Sequence, residues 1–302
     1  IERVNRPPRG HVPGTLAALA LAGTALALLF APLTAQACSR PCVGPRRGAI
    51  LAAGGGELGP GIYARFLALA GGKNAHIVLI PTAGAEEGSH DAWTALEALQ
   101  KAGAQHIEVL HTRTRAVADL DAFAAPLREA TGVWISGGRQ YRLVDVYLGT
   151  RTQRELEGVL ERGGVIGGNS AGASVLASTL IRGGDSATDV VIDHNRPEGF
   201  GFLRGVAIDQ HLLARGREND LIAVLRDHPE LLGIGVDEGT ALVVTGDMAS
   251  VIGEGRVAIY DFTDPLTLIP LRYLVRGDVY DLGVRQVVLT AEGGGPGVPP
   301  GG

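Results

Sequence analysis

The chain has 302 residues, 45% hydrophobic and 20% charged, with a formal net charge of -5, which is length enough to bury one large core or two smaller ones. That balance excludes a general basic field for nucleic acid, and no basic stripe runs along the chain. Lys73 and Lys101 are the only lysines, so the positive charge is almost all arginine.

The amino-terminal stretch stands apart from the rest. Arg3, Arg6 and Arg9 precede an apolar run from Leu16 to Leu33, broken by Pro32, and then "AQAC" from Ala35 to Cys38. A positive start, an apolar centre and a small-x-small site predict a secretory signal peptide over residues 1–37, and hence an exported protein, periplasmic or secreted. The apolar run is near the lower limit for spanning a bilayer, so an uncleaved anchor is the rival reading. Cys38 falls just after the cut, which adds lipid attachment to the alternatives. Residues 38–47 read as a linker. Cys38 and Cys42 are the only cysteines, and in an oxidising compartment they can close a small ring outside the core. None remains for a catalytic thiol or a zinc cluster, and no His/Asp/Cys group has ligand spacing, so neither metal nor cofactor is expected.

From residue 48 the pattern alternates. "AILAAGGG" and "AHIVLIPTAG" predict buried strands that end in small residues, with the helix "PGIYARFLALAGG" between them. "DAWTALEALQKAG" predicts a second helix, "HIEVLHT" a strand, "VADLDAFAAPLREA" a helix and "GVWISGG" a strand. Two helices follow, "RQYRLVDVYLGT" and "RTQRELEGVLERGG", and then the strand "GVIGG". Continuous apolar strands alternating with amphipathic helices predict a three-layer α/β fold, its central sheet mostly parallel and covered on both faces. Beyond residue 185 come "DVVIDH", "GVAIDQH", "LLGIGVDEG", "TALVVTGD" and "SVIGEGRVAIYD". These short strands predict an antiparallel extension of the same sheet. Only "RENDLIAVLRDHPE" is helical there. The domain is expected to run to 290, and the tail over 291–302, "AEGGGPGVPPGG", to be disordered.

"AAGGG", "IPTAG", "WISGG" and "IGGNSAG" all close strands, so small residues line the carboxyl rim of the sheet, where sites gather in such folds. In the last of them Gly168-Asn169-Ser170-Ala171-Gly172 fits G-x-S-x-G between a strand and a helix. A turn that tight tolerates only small neighbours; it projects the hydroxyl and offers free N–H groups at the start of the following helix. A filler serine in a glycine-rich turn is the alternative. A nucleophile needs a base and the base an orienting group. Of the eight histidines, His11 lies in the leader, His76, His106 and His111 lie at strand ends, His90 precedes a helix, and His194 and His228 read as surface. His211 differs: it closes the apolar strand "GVAIDQH" before an arginine-bearing loop. Asp237 and Glu238 end the apolar run "GIGV", where a carboxylate without a partner is costly. The chain order Ser170, His211, Glu238 is not the Ser-Asp-His order of the α/β-hydrolases, which sets lipases and esterases aside.

With "AAGGGEL", "IPTAG", "ISGGRQYRLVD", "GGNSAGAS", "IDQHLLARGREN" and "GIGVDEGTAL" in order, the sequence from Ala49 to Val244 resembles the cyanophycinase and aspartyl dipeptidase group of serine peptidases, peptidase family S51. The resemblance implies a class I glutamine amidotransferase-like, flavodoxin-like fold. It implies Ser170 as nucleophile, His211 as base and Glu238 as orienting acid, with the N–H groups of Gly138 and Ala171 as oxyanion hole. Gln140, Asp209, Gln210 and Arg217 match polar residues that hold the substrate, and Arg215 lies beside them. The implied substrate is cyanophycin, a poly-aspartate carrying arginine on each side-chain carboxyl, cut to β-Asp-Arg dipeptides. A homodimer is common in the family.

Two positions depart from that pattern. Arg139 stands where the family usually has Asp, and Asp220 where it tends to have Arg. Both are expected at the substrate pocket, either paired with each other in reversed polarity or re-tuning it for another peptide. An isoaspartyl or acidic dipeptidase is therefore the second reading, with arginines on the ligand's carboxylates. A non-catalytic peptide-binding protein on the same scaffold is the third.

Overall fold

A computed structural model of the chain describes residues 42–85, 90–182, 192–263 and 270–290, all within one compact unit spanning 35–302. The leader, the Cys38 attachment point and the tail over 291–302 lie outside the described residues.

In chain order, β1 (Ala49–Ala53), α1 (Pro60–Leu69), β2 (His76–Ile80), α2 (His90–Lys101) and β3 (His106–Val109) open the domain. Next come α3 (Arg115–Ala118), α4 (Asp121–Ala124), β4 (Gly132–Ile135), α5 (Gln140–Tyr147), α6 (Arg151–Glu161) and β5 (Val165–Asn169). The stretch expected as a single helix from Val117 is broken, because Leu120 is extended and Pro126 carries no N–H to continue an α-helix. A nine-stranded sheet has β3, β2, β4, β5 and β1 side by side and parallel. Its other half is antiparallel: β9 (Thr240–Thr245) pairs with β1, followed by β10 (Met248–Gly253), β13 (Val279–Asp281) and β14 (Gln286–Leu289).

The carboxyl-terminal strands depart from the expected single extension. β6 (Ala177–Thr179), β7 (Leu203–Gln210) and β8 (Leu232–Val236) are parallel to one another in a separate five-stranded sheet, completed by antiparallel β11 (Val257–Asp261) and β12 (Leu271–Leu274). "SVIGEGRVAIYD" is thus two strands in two sheets. α8 (Asp220–Asp227) packs Leu221 and Leu225 against this second sheet. β7 and β8 read as continuous apolar runs because both of their faces are covered.

Within the presumed linker, residues 42–45 pack against the body. Cys42 is buried and disulfide-bonded. Val43 donates its N–H to Asp247 at 2.6 Å, and its carbonyl accepts from the Arg204 N–H at 2.7 Å. Burial and backbone pairing here outweigh the Pro/Gly/Arg composition that suggested a linker.

Candidate active site

β5 and β4 lie side by side, Ile135 opposite Gly168, so the turns that leave them share the carboxyl rim. Glycine permits the close approach there: a Cβ on Gly168 would sit 2.5 Å from the Gly172 carbonyl oxygen, and one on Gly172 would sit 2.0 Å from that of Ile135. Between them Ser170 is forced to φ 53°, ψ -117°, a conformation that costs a non-glycine residue of order 1–3 kcal/mol. The expected helix behind it, α7 (Ala171–Ser174), is a single turn, so it contributes local N–H groups more than a macrodipole.

The Ser170 hydroxyl lies 2.9 Å from Nε2 of His211, and Nδ1 of His211 lies 2.5 Å from a Glu238 carboxylate oxygen. His211 follows β7 with φ 57° and Glu238 follows β8, a parallel neighbour. The first sheet therefore holds the serine and the second holds its partners. "AAGGG" after β1 makes the room between them. A Cβ on Gly55 would lie 2.5 Å from the imidazole Cε1, and a Cβ on Gly56 would lie 2.5 Å from a Glu238 carboxylate oxygen. Burial pushes the His211 imidazole below its ordinary value, and the Arg215 and Arg217 cations add to that while Glu238 opposes it. The ring is accordingly neutral near pH 7, the form that can accept a proton.

Glu238 and its neighbour divide the work. The Asp237 carboxylate accepts from the Leu213 and Ala214 N–H groups, each at 3.0 Å, and so pins the loop after His211. Gly138 (φ 141°) rests against the "PTAG" turn, where a Cβ would meet the Ala83 carbonyl oxygen at 2.1 Å. Its N–H and that of Ala171 have no hydrogen-bond partner among the described residues, which leaves both able to donate to a bound oxygen.

The other expected residues divide into two groups. Buried Gln140 donates to the Ile181 carbonyl at 3.1 Å, and buried Gln210 accepts from the Ser174 hydroxyl at 3.1 Å. Arg217 donates to the Gln210 carbonyl at 3.0 Å. Asp209 is fully buried and gripped by Arg182 through two contacts, 3.0 and 3.1 Å. Arg139 and Arg215, by contrast, are exposed and have no acidic partner among the described residues. The reversed pair of Arg139 with Asp220 is not formed, because Asp220 is taken by Arg182 at 2.5 Å. Arg182 itself carried no signal in the sequence: it follows an apolar strand and matches no motif. Nor did Trp134, whose indole N–H donates to Asn169 at 3.2 Å and so fixes the residue before the nucleophile. Of the other histidines, His76 and His106 stack on each other at 5.1 Å, and His111 bonds Thr82. Among the described residues no group of three His, Cys, Asp or Glu side chains is placed to hold a metal ion.

A flavodoxin-like sheet with a serine, a histidine and a glutamate in hydrogen-bonded series at its carboxyl rim defines a serine-type peptidase. The family model for peptidase family S51 matches residues 50–252, and the chain belongs to that family. Cyanophycinase of Synechococcus elongatus is 34% identical over 266 residues, covering 80% of this chain and 81% of its own. That of Geminocystis herdmanii (strain PCC 6308) is 33% identical over 264 residues, covering 80% and 96%. Among solved structures, a peptidase from an acI-B1 Actinobacterium shares the fold with a TM-score of 0.63 at 24% identity, covering 78% of this chain and 97% of its own.

Proposed function

We propose that this peptidase hydrolyses cyanophycin to β-Asp-Arg dipeptides through an acyl-enzyme. The single observation that carries the chemistry is the continuous series from Ser170 through His211 to Glu238, 2.9 and 2.5 Å. Ser170 attacks an aspartyl carbonyl while His211 takes its proton, and Glu238 stabilises the imidazolium. The oxyanion rests on the N–H groups of Gly138 and Ala171, each worth about 3 kcal/mol in such sites. The departing amine takes the proton from His211, and water then releases the acyl group by the reverse sequence. The curated relatives, named as cyanophycinases, support the substrate. The arginine-rich start, apolar run and "AQAC" of the leader support an exported enzyme.

The test is incubation of the protein and its Ser170→Ala variant with cyanophycin, reading products by mass. β-Asp-Arg is expected from the first and not from the second. If cyanophycin is left intact while a β-aspartyl dipeptide is cut, the second reading stands, an acidic or isoaspartyl dipeptidase. Exposed Arg139 and Arg215 favour that reading, since guanidinium groups suit carboxylate ligands. Failure of a fluorophosphonate to label Ser170 would favour a binding protein.

A further inference from the structure

Beside the Ser170–His211–Glu238 series lies a charge cluster that the proposed chemistry does not use. Arg182 is buried and holds Asp209 by two parallel contacts, 3.0 and 3.1 Å, while its Nη2 also reaches Asp220 at 2.5 Å. The end of β7 and the start of α5 anchor this cluster. Asp209 stands two residues before His211, and Gln140, just past Gly138, holds the carbonyl of Ile181. Asp209 is fully buried, whereas the Asp220 side chain is 29% exposed. A planar guanidinium held in a fork by one carboxylate and capped by a second is how proteins bind an arginine side chain. Here the guanidinium belongs to the chain itself. Arg139, next to Gly138, and Arg215, whose backbone N–H donates to the His211 carbonyl at 3.1 Å, are exposed cations.

Resting on the reading above, we propose that Arg182 fills the acidic recess beside the relay from within, so that the substrate unit is selected by its free carboxylate, at Arg139 and Arg215, and not by its guanidinium. Each β-Asp-Arg unit carries both groups, so the two modes of recognition are separable. Replacing the arginine side chain leaves recognition intact, and blocking its α-carboxylate weakens it.

The experiment compares four synthetic trimers with the wild-type protein: β-Asp-Arg, its citrulline and leucine counterparts, and β-Asp-Arg with each arginine carboxylate as the amide. The kcat/KM values of the citrulline and leucine trimers are expected to stay within about threefold of the arginine trimer, and the amide to fall about tenfold or more, the worth of a charged hydrogen bond. A tenfold preference for arginine over citrulline, or equal cleavage of the amide, overturns the inference and leaves the peptidase reading standing. Cleavage of none of the trimers, nor of cyanophycin, overturns both. In folded Arg182→Ala, Asp209 and Asp220 lose the guanidinium that bridges them, Asp209 keeping Arg217 at 3.8 Å, and a preference for arginine over citrulline of about tenfold is expected; equal rates count against the proposal. Arg139→Ala with Arg215→Ala is expected to erase the discrimination between acid and amide. If it persists in the double variant, these residues are not the readers. The wild-type comparison decides even if Arg182→Ala does not fold.

Discussion

Gly55 and His211 are in such close contact that a single methyl group on the glycine would lie 2.5 Å from the imidazole Cε1. The base is held not only by its carboxylate partner but by the absence of a side chain on β1's exit turn. Gly55→Ala is expected to turn the ring away from Ser170 and lower kcat/KM by 100-fold or more, roughly what a displacement of 1 Å costs in a catalytic site. Its φ of 103° adds strain. Gly59→Ala, with nothing within 4 Å of the new methyl, is expected to leave kcat/KM unchanged. Steady-state kinetics on both variants check this pair.

Glu238 and Asp237 are adjacent carboxylates with separate tasks. Glu238→Gln is expected to lower kcat by roughly 10²- to 10⁴-fold with little change in melting temperature, because an amide orients the wrong imidazole tautomer. Asp237→Ala leaves the Leu213 and Ala214 N–H groups without their acceptor and is expected to cost about 1–3 kcal/mol of stability. Denaturant titration beside kinetics separates the two.

The pH dependence follows from the lowered His211 value, caused first by burial. Activity needs the neutral ring, so the acid limb of kcat/KM is expected below the ordinary histidine value of about 6.5. Arg215→Ala removes a cation that disfavours protonation, and the limb moves upward. Glu238→Gln removes an anion that favours it, and the limb moves downward. The stability sign is also fixed: the unfolded chain binds this proton more readily. The His211 contribution is therefore fully present above the unfolded value and is lost as pH falls through the folded one. A pH–rate profile of the three proteins tests the directions.

Backbone strain at Ser170 makes a prediction independent of chemistry. Ser170→Gly and Ser170→Ala both abolish turnover, but only glycine accepts φ 53°, ψ -117° without strain. The glycine variant is expected to be more stable than the alanine variant by about 1 kcal/mol or more. Equal melting temperatures would remove the strain argument.

The Arg182–Asp209 pair is buried, so breaking it and deleting it differ. Arg182→Ala takes the bidentate partner from the buried Asp209 carboxylate, leaving it the Gln210 N–H at 3.0 Å and Arg217 at 3.8 Å, and is expected to cost about 3 kcal/mol, whereas Arg182→Met combined with Asp209→Leu is expected to recover much of that. Urea unfolding of the single and double variants measures it.

The alternation of apolar runs and amphipathic helices made the parallel half of the main sheet legible, since β1, β2, β4 and β5 are largely buried and each followed by a small-residue turn, while β3, at the sheet edge, is largely exposed. The pairing of β7 and β8 was not legible. An apolar run states that a strand is covered, and nothing in it names the neighbour; the second sheet is set by contacts between distant segments. The serine, histidine and glutamate were readable because each ends an apolar strand with a residue that such a position tolerates only with a partner. Arg182 was not readable, because its meaning comes wholly from Asp209 and Asp220, 27 and 38 positions away.

The sequence by itself determined the candidate reacting groups and the turns that present them, because steric demands at a tight turn are local and leave a mark in adjacent residues. Only the tertiary structure decided which charges cancel and which stay open to a ligand. Compensation of charge depends on distance through space, and for Arg139, Arg182 and Asp220 that distance bears no relation to their order along the chain.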